Sequence, residues 1–167
     1  MKALEPPHTH FVAAAEGWLG LGDICEARAE LERLGEPLQT HPDVLRVRWA
    51  IAAEERDWPA ALRLARALVR ATPESSFGWL HQAYALRRVP EGGLQAAWDS
   101  LLPVLKTFPK VAIIPYNLAC YACQMRQLDR ARELLQRAIL IGDKDHIKQI
   151  ALEDTDLRAL WAEIREL

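Results

Sequence analysis

The sequence has 167 residues, half of them hydrophobic, and its 21 basic and 23 acidic side chains give a formal net charge of -2. A chain of this length can bury about two thirds of its unfolded surface without disulfides or a structural metal. The small net charge argues against a general polyanion-binding surface, so we do not expect nucleic acid as a partner. No apolar run approaches the roughly 20 residues that cross a bilayer, and we expect no membrane partner.

The cysteines and the N-terminus bear on the compartment. Cys25, Cys120 and Cys123 are an odd number of thiols in a chain that needs no cross-links, which favours a reducing environment. The first ten residues lack the apolar stretch of a signal peptide. We therefore expect a cytoplasmic protein.

Amphipathic helices are predicted along most of the chain. Apolar residues recur at steps of three and four, and prolines and glycines separate the runs. The predicted helices are 9–20, 24–35, 43–55, 58–71, 76–88, 93–107, 114–125 and 128–141. Pro103 lies inside the sixth of these helices, and we expect a bend there because proline removes one backbone hydrogen bond.

A pair of helices recurs along the chain. The pair is clearest at residues 116–139, YNLACYACQMRQLDRARELLQRAI, where two amphipathic runs flank a polar break. The second helix of each pair has a small residue at the equivalent place. These residues are Ala27, Ala61, Ala97 and Ala131, with separations of 34, 36 and 34 residues. Since one hairpin cannot bury its apolar side alone, we expect the copies to stack.

On these residues the sequence resembles the tetratricopeptide repeat family over roughly residues 8–142. Further matches to the family pattern are Trp79, Ala83, Leu118, Ala119, Pro73 and Pro109. The resemblance implies an all-α fold, a right-handed superhelical array of helix-turn-helix hairpins with a C-terminal capping helix. The implied repeats, within a single domain of 1–167, are 8–41, 42–74, 75–110 and 111–142. Residues 143–167 form the capping segment.

Three segments depart from the repeat. The turn VPEGG at 89–93 holds the two extra residues behind the spacing of 36, and we expect a protruding loop. In KVAIIP, residues 110–115, we predict an extended stretch at 110–112 and a helix that starts near Ile113 or Ile114. That segment is either a buried connector or a small apolar patch for a partner.

The last predicted helix starts with Asp154 or Thr155 as its N-cap. Its apolar stripe comprises Leu157, Leu160, Trp161 and Ile164.

Little in the sequence indicates catalysis or metal binding. Cys120 and Cys123 form a lone CxxC pair inside a predicted helix, and no second pair completes a set of four ligands. The five histidines are scattered, and neither a HExxH pair nor a Gly-x-Ser-x-Gly turn is present. We therefore interpret both cysteines as packing residues and expect no catalytic residue, metal or cofactor.

The family resemblance implies protein binding in a concave groove, which the first helix of each hairpin lines. Aromatic rings beside guanidinium groups suit a peptide that carries apolar anchors and a carboxylate. In the alternative interpretation, Phe77 and Leu80 pack on a neighbouring repeat, and the arginines only solvate a helix end. The residues predicted by phase to face the groove are Arg46, Ala50, Glu54, Phe77, Leu80, Tyr84, Arg87, Arg88, Tyr116, Asn117, Cys120 and Gln124.

Three functions are compatible with such an array. The leading hypothesis is a non-enzymatic module that binds a protein or peptide in the groove. The chaperone-binding members of the family clamp a terminal carboxylate with lysines, asparagines and an arginine, but here only Asn117 and one of Arg87 and Arg88 match. The alternatives are a small chaperone that holds an unfolded or secreted client and a homo-oligomeric structural unit. Self-association would use tryptophans at the surface, with Trp49, Trp58 and Trp98 as candidates.

Overall fold

A computed structural model describes residues 3–167, and over this range the chain is helical and contains no strand. The chain divides into two packing units, of which the first ends at Ala85 and the second begins at Leu86. Among the described residues, no helix combines the length and the apolar character needed to span a bilayer.

The first unit consists of stacked helical hairpins. In this unit α1 packs on α2 and α3 packs on α4, while α3 also contacts both helices of the first hairpin. The second hairpin therefore covers the apolar side that the first leaves open. A short 3-10 helix at Glu36–Leu38 joins the two hairpins. The helices are α1 (His8–Gly20), α2 (Ile24–Glu32), α3 (Pro42–Glu54), α4 (Trp58–Ala71) and α5 (Ser76–Leu86), and α5 ends one residue into the second unit.

The hairpin turns share one local design. A residue with left-handed backbone reverses the chain, Gly22 with φ of 82° in the first hairpin and Arg56 with φ of 57° in the second. The next residues, Asp23 and Asp57, each accept a hydrogen bond from the backbone N–H three positions on, at 3.0 and 2.9 Å. Each aspartate thus satisfies an N–H that has no partner within the helix. Arg126, with φ of 63°, has the same place in the second unit.

The second unit contains one complete hairpin and the elements that cover it. In this unit α6 packs on α8, α8 pairs with α9, and a C-terminal 3-10 helix contacts both. The helices are α6 (Leu94–Leu101), α7 (Val104–Thr107), α8 (Ile113–Gln124), α9 (Leu128–Ile141), α10 (Lys144–Glu153), the 3-10 helix Thr155–Leu160 and α11 (Trp161–Glu166). The helix predicted at 93–107 is interrupted at Pro103, which confirms the effect expected of this proline.

Two segments bear on their predictions. In the turn at 89–93, Pro90 and Glu91 are exposed, whereas Val89 is buried and Gly93 donates its N–H to the carbonyl oxygen of Leu86 at 2.9 Å. A Cβ on Gly92 would lie 1.9 Å from the same oxygen, so only glycine fits. In the second segment Ala112 has helical backbone, with φ of -58° and ψ of -33°, so the extended conformation predicted there is wrong. Helix α8 begins at Ile113, as predicted.

The segment KVAIIP is buried at its C-terminal end. Ile114 and Pro115 are fully buried, while Ile113 is partly exposed. Pro115 lies in the first turn of α8, where a missing N–H costs no intrahelical hydrogen bond. The buried-connector interpretation therefore describes two of the three apolar residues at the start of α8.

Helix α10 is absent from the sequence-based predictions. Asp143 caps it by accepting a hydrogen bond from the N–H of His146 at 2.8 Å, and its buried residues are Ile147 and Ala151. The predicted capping helix is split, because a 3-10 turn capped by Asp154 precedes α11. Of its predicted apolar stripe, Leu157, Leu160 and Ile164 are fully buried and Trp161 is half-buried.

The repeat alanines are fully buried. Ala27, Ala61, Ala97 and Ala131 have no exposed surface, as expected where helices approach closely. Buried leucines follow four residues later in α2, α6 and α9. In α4 this place belongs to Ala65, which is fully buried, whereas Leu64 is only half-buried.

Enlarging a repeat alanine should overpack a helix crossing. We expect Ala61→Leu and Ala131→Leu each to lower the free energy of unfolding by about 1 to 3 kcal/mol. The matched controls are Arg63→Leu and Arg137→Leu, which add the same side chain at exposed positions of the same helices. These should change stability by less than about 0.5 kcal/mol. Urea denaturation measures all four, and equal losses at alanine and arginine positions would contradict the close-approach model.

Candidate functional site

An open groove lies between α1, α3 and α5 in the first unit. Its volume is about 590 Å³, and the residues that line it include Glu16, Leu19, Arg46, Ala50, Glu54 and Phe77. A smaller cavity of about 220 Å³ shares Glu16 and Arg46 with the groove and extends to Asp43. Four residues predicted to face a groove, Arg46, Ala50, Glu54 and Phe77, therefore lie together.

Aromatic rings from α3, α4 and α5 meet beside the groove. His81 stacks on Phe77 with ring centroids 3.7 Å apart, and Trp49 meets His81 edge to face at 4.0 Å. Tyr84 lies 6.1 Å from Trp49 and 5.8 Å from Trp58. Each such pair contributes roughly 0.5 to 1.5 kcal/mol beyond the burial of its area. Because the rings hold one another, Phe77 and Tyr84 are positioned without a ligand.

Arg46 is held against this aromatic cluster. Its guanidinium carbon lies 4.5 Å from the centroid of the Phe77 ring. The side chain is exposed, and within residues 3–167 it makes no ion pair. A cation–π contact at an exposed site stabilises by about 0.5 to 1 kcal/mol. This contact orients the guanidinium, and its N–H groups remain available to a carboxylate that enters the groove.

Within the cluster Trp49 is buried and His81 is half-buried. The Nδ1 atom of His81 lies 2.8 Å from the carbonyl oxygen of Phe77, so it carries the proton and donates. Burial lowers the pKa of His81, a hydrogen bond to Phe77 opposes the shift, and the charge of Arg46 adds to it. The neutral imidazole therefore stacks in the cluster at neutral pH. In the described part of the chain, the buried indole N–H of Trp49 has no hydrogen-bond acceptor.

The lowered pKa of His81 predicts a loss of stability in acid. The folded state disfavours protonation, so the unfolded state binds more protons once the pH falls below the ordinary histidine pKa of about 6.5. The stabilising contribution is present above that pH and is lost as the pH falls through the folded pKa. We expect wild type to lose more unfolding free energy than His81→Phe between about pH 7.5 and about pH 5. Equal losses in urea titrations would refute this role of His81.

In the second unit, predicted groove residues contact the chain's own C-terminal segment. Arg87 forms a bidentate ion pair with Asp156, in which Nη2 lies 2.8 Å from Oδ1. The Tyr116 hydroxyl donates to the Asp154 carboxylate at 3.1 Å, and the Gln124 amide donates to the carbonyl oxygen of Asp156 at 2.9 Å. The segment from Asp154 to Asp156 thus presents two carboxylates and a carbonyl to α8 and to the residue after α5.

The other predicted residues of this unit differ in their contacts and burial. Asn117 donates its side-chain N–H to the carbonyl oxygen of Ile113 at 2.9 Å, within its own helix. Arg88 is half-buried. Cys120 is buried, and its thiol donates to the Asp154 carboxylate at 3.4 Å. These contacts explain the orientation of Asn117 and Cys120 without a ligand.

Cys120, Asp154 and Asp156 bring three potential metal ligands within 4.8 Å of one another. Burial raises the pKa of the Cys120 thiol, and the neighbouring Asp154 raises it further, whereas zinc binds the thiolate. Asp156 is already neutralised by Arg87. A protonated thiol and a paired carboxylate are poor ligands for a cation. Burial also raises the pKa of Cys123, which is the opposite of the shift that activates a nucleophilic cysteine.

The Arg87–Asp156 pair should couple more strongly than an exposed pair. We expect Arg87→Leu and Asp156→Leu to be destabilising alone, because each leaves a half-buried charge unpaired. The coupling energy of the double-mutant cycle should be about 1 to 2 kcal/mol. The control is the cycle for Arg28 and Glu55, an exposed pair at 2.6 Å, with an expected coupling of about 0.2 to 1 kcal/mol. Similar couplings in urea denaturation would show that the C-terminal segment is not held by this pair.

Tryptophan exposure bears on self-association. Trp49 and Trp98 are buried and Trp58 is half-buried, so two of the three candidates are not at the surface. The most exposed large apolar side chains are Leu21, at 79%, and Leu140, at 86%. They lie at the ends of α1 and α9, each in a different unit.

The helical hairpins, their shared turns and their buried alanines define a tetratricopeptide-type repeat fold, and solved structures confirm it. TTC0263, a thermophilic TPR protein of Thermus thermophilus, matches with a TM-score of 0.69 and 19% identity over 96% of this chain and 100% of its own. A MamA structure matches with a TM-score of 0.59 and 19% identity, over 90% and 89% of the two chains. The MamA RS-1 ArsTM double mutant matches at 0.66 and 13%, over 83% and 76%. No protein-family model and no curated protein matches the sequence.

Proposed function

We propose that the protein is a non-enzymatic interaction module that binds a segment of a partner protein in the groove of its first unit. The observation that carries the proposal is Arg46, whose guanidinium is held over Phe77 beside an open groove and has no ion-pair partner among the described residues. An oriented cation next to an apolar surface is the arrangement that recognises a peptide carboxylate and its neighbouring side chain. The repeat fold supports the proposal, because stacked hairpins form extended binding surfaces.

Phe77, Leu80 and Tyr84 are the proposed apolar contacts. All three lie on α5, with Phe77 and Leu80 half-buried and Tyr84 39% exposed. Phe77 and Tyr84 are held by ring contacts, and all three residues keep accessible surface, as interface anchors do. By contrast, we assign Arg87, Tyr116 and Gln124 to holding the C-terminal segment, because their donors contact it. For Arg88 and Asn117, peptide binding stays a prediction.

Separate observations support a protein partner and a cytoplasmic location. The net charge of -2 disfavours nucleic acid, and the raised pKa of Cys120 disfavours thiol catalysis. Cys25 is exposed, Cys120 and Cys123 are buried, and none of the three forms a disulfide within the described part of the chain. Free thiols of this kind suit the cytoplasm.

A photocrosslinking experiment in the native host tests the site. A benzophenone side chain replaces Ala50 in the groove or, as the control, Arg63, which lines a different cavity. We expect a partner peptide to crosslink at position 50 and not at position 63. The identified peptide is then synthesised and titrated calorimetrically against wild type, Arg46→Glu and Arg63→Glu.

Reversing the charge of Arg46 should weaken this peptide about tenfold, because the attraction between the guanidinium and a carboxylate becomes a repulsion. Arg63→Glu should bind as wild type does, and circular dichroism should show both variants folded. Crosslinking at position 63 alone, or equal affinities of the two variants, would move the binding site away from the groove.

A further inference from the structure

Three charged side chains line the groove of the first unit. Arg46 and Glu54 lie on α3, and Glu16 lies on α1. Within residues 3–167 none of the three belongs to an ion pair, although each lines the same open space. One guanidinium and two carboxylates give this surface a formal charge of -1. A uniformly acidic peptide would therefore meet Arg46 but be repelled by both glutamates.

The distance between the two charged residues on α3 determines how far apart the complementary charges of a bound peptide must lie. Arg46 and Glu54 are eight residues apart, so their backbone positions differ by about 12 Å along the helix axis. An extended peptide advances about 3.3 Å per residue, and its side chains at i, i+2 and i+4 point to the same side. Four residues of such a peptide therefore span the distance between the two charges.

The floor between the charges is small and apolar. Ala50 lies midway between Arg46 and Glu54 on α3, and Leu19 and Gly20 contribute from α1. Such a floor offers room for an apolar side chain and no hydrogen-bond partner for a polar one. The residue at i+2 of an extended peptide would stand over this floor.

From this pattern we infer that the ligand is an extended peptide segment in which an acidic and a basic residue, four positions apart, flank a central apolar residue. The acidic side chain pairs with Arg46 beside the Phe77 ring, and the basic side chain pairs with Glu54. The apolar side chain rests on Ala50 and Leu19. The charges define the two positions and allow either chain direction. The inference rests on the proposed function of the groove.

Nine synthetic peptides test the charge pattern. Each is a labelled dodecamer with a core Z-Ala-Leu-Ala-Z, in which each Z is Glu, Gln or Lys, and the flanks are Gly and Ser. Fluorescence anisotropy measures their affinities for the full chain. We expect the two peptides with one Glu and one Lys to bind about fivefold tighter than the Gln/Gln peptide, the scale of exposed ion pairs. The Glu/Glu peptide should be weaker than both.

Two variants make the test independent of overall charge. Glu54→Lys should shift the preference to the Glu/Glu peptide, again by about fivefold. Ala50→Trp fills the floor of the groove and should abolish binding of all nine peptides, while Arg63→Trp, on another surface, should not. Circular dichroism and thermal melting verify that each variant is folded.

The outcomes separate this inference from the function on which it rests. If the nine peptides bind alike and Ala50→Trp blocks them all, the groove binds peptides but the charge pattern is wrong. If Ala50→Trp leaves binding unchanged, the groove is not the peptide site and both ideas fail. If no peptide binds, the charge pattern is wrong, and crosslinking at position 50 decides the proposed function separately. A Glu54→Lys variant that keeps the wild-type preference overturns the assignment of the basic residue to Glu54.

Discussion

The close approach of paired helices at Ala27, Ala61 and Ala131 sets the positions of the other side chains in this fold. Each of these residues is fully buried and has only a methyl group, so the two backbones of a pair come near one another. Residues one turn further on, such as Leu31 and Leu135, are buried as a result. With the second helices engaged in this way, α1, α3 and α5 keep a face for the groove in the first unit.

Polar side chains at similar places in the two units make different contacts. In the second unit, the Asp156 carboxylate pairs with Arg87, and the Asp154 carboxylate accepts a hydrogen bond from the Tyr116 hydroxyl. Both of these polar groups therefore already have a partner within the chain. In the first unit Arg46 has an aromatic ring beneath it and, among the described residues, no ion-pair partner. A half-buried charged group without a partner costs free energy, which favours an internal partner for Arg87. Arg46 is exposed, so water solvates its guanidinium, and an external carboxylate can provide the same contact.

Local pattern predicted the helices, because burial of one face imposes a period of about 3.6 residues on the sequence. It missed α10, whose only buried residues are Ile147 and Ala151, within a strongly charged run. In the site, the repeat phase correctly brought Arg46 and Phe77 to one surface. It did not reveal the stacking of His81, although that residue lies four positions after Phe77.

The contact of Arg87 with Asp156 joins residues 69 positions apart, and no local period encodes such a pair. In the sequence, this contact is indicated only by the acidic residues at the start of the C-terminal segment. The sequence analysis predicts an aspartate there as a helix N-cap and not as a partner of Arg87. Asp154 does cap the 3-10 helix, and the same carboxylate also accepts a hydrogen bond from Tyr116. One residue thus satisfies a local and a long-range requirement, and only the local requirement is visible in the sequence.

The C-terminal segment also covers one side of α9. Here α10 and the 3-10 helix contact α9, and Leu157, Leu160 and Ile164 are buried. A second copy that stacked against this side of α9 would first have to displace three buried apolar side chains, so head-to-tail stacking into an open filament would carry the cost of exposing them.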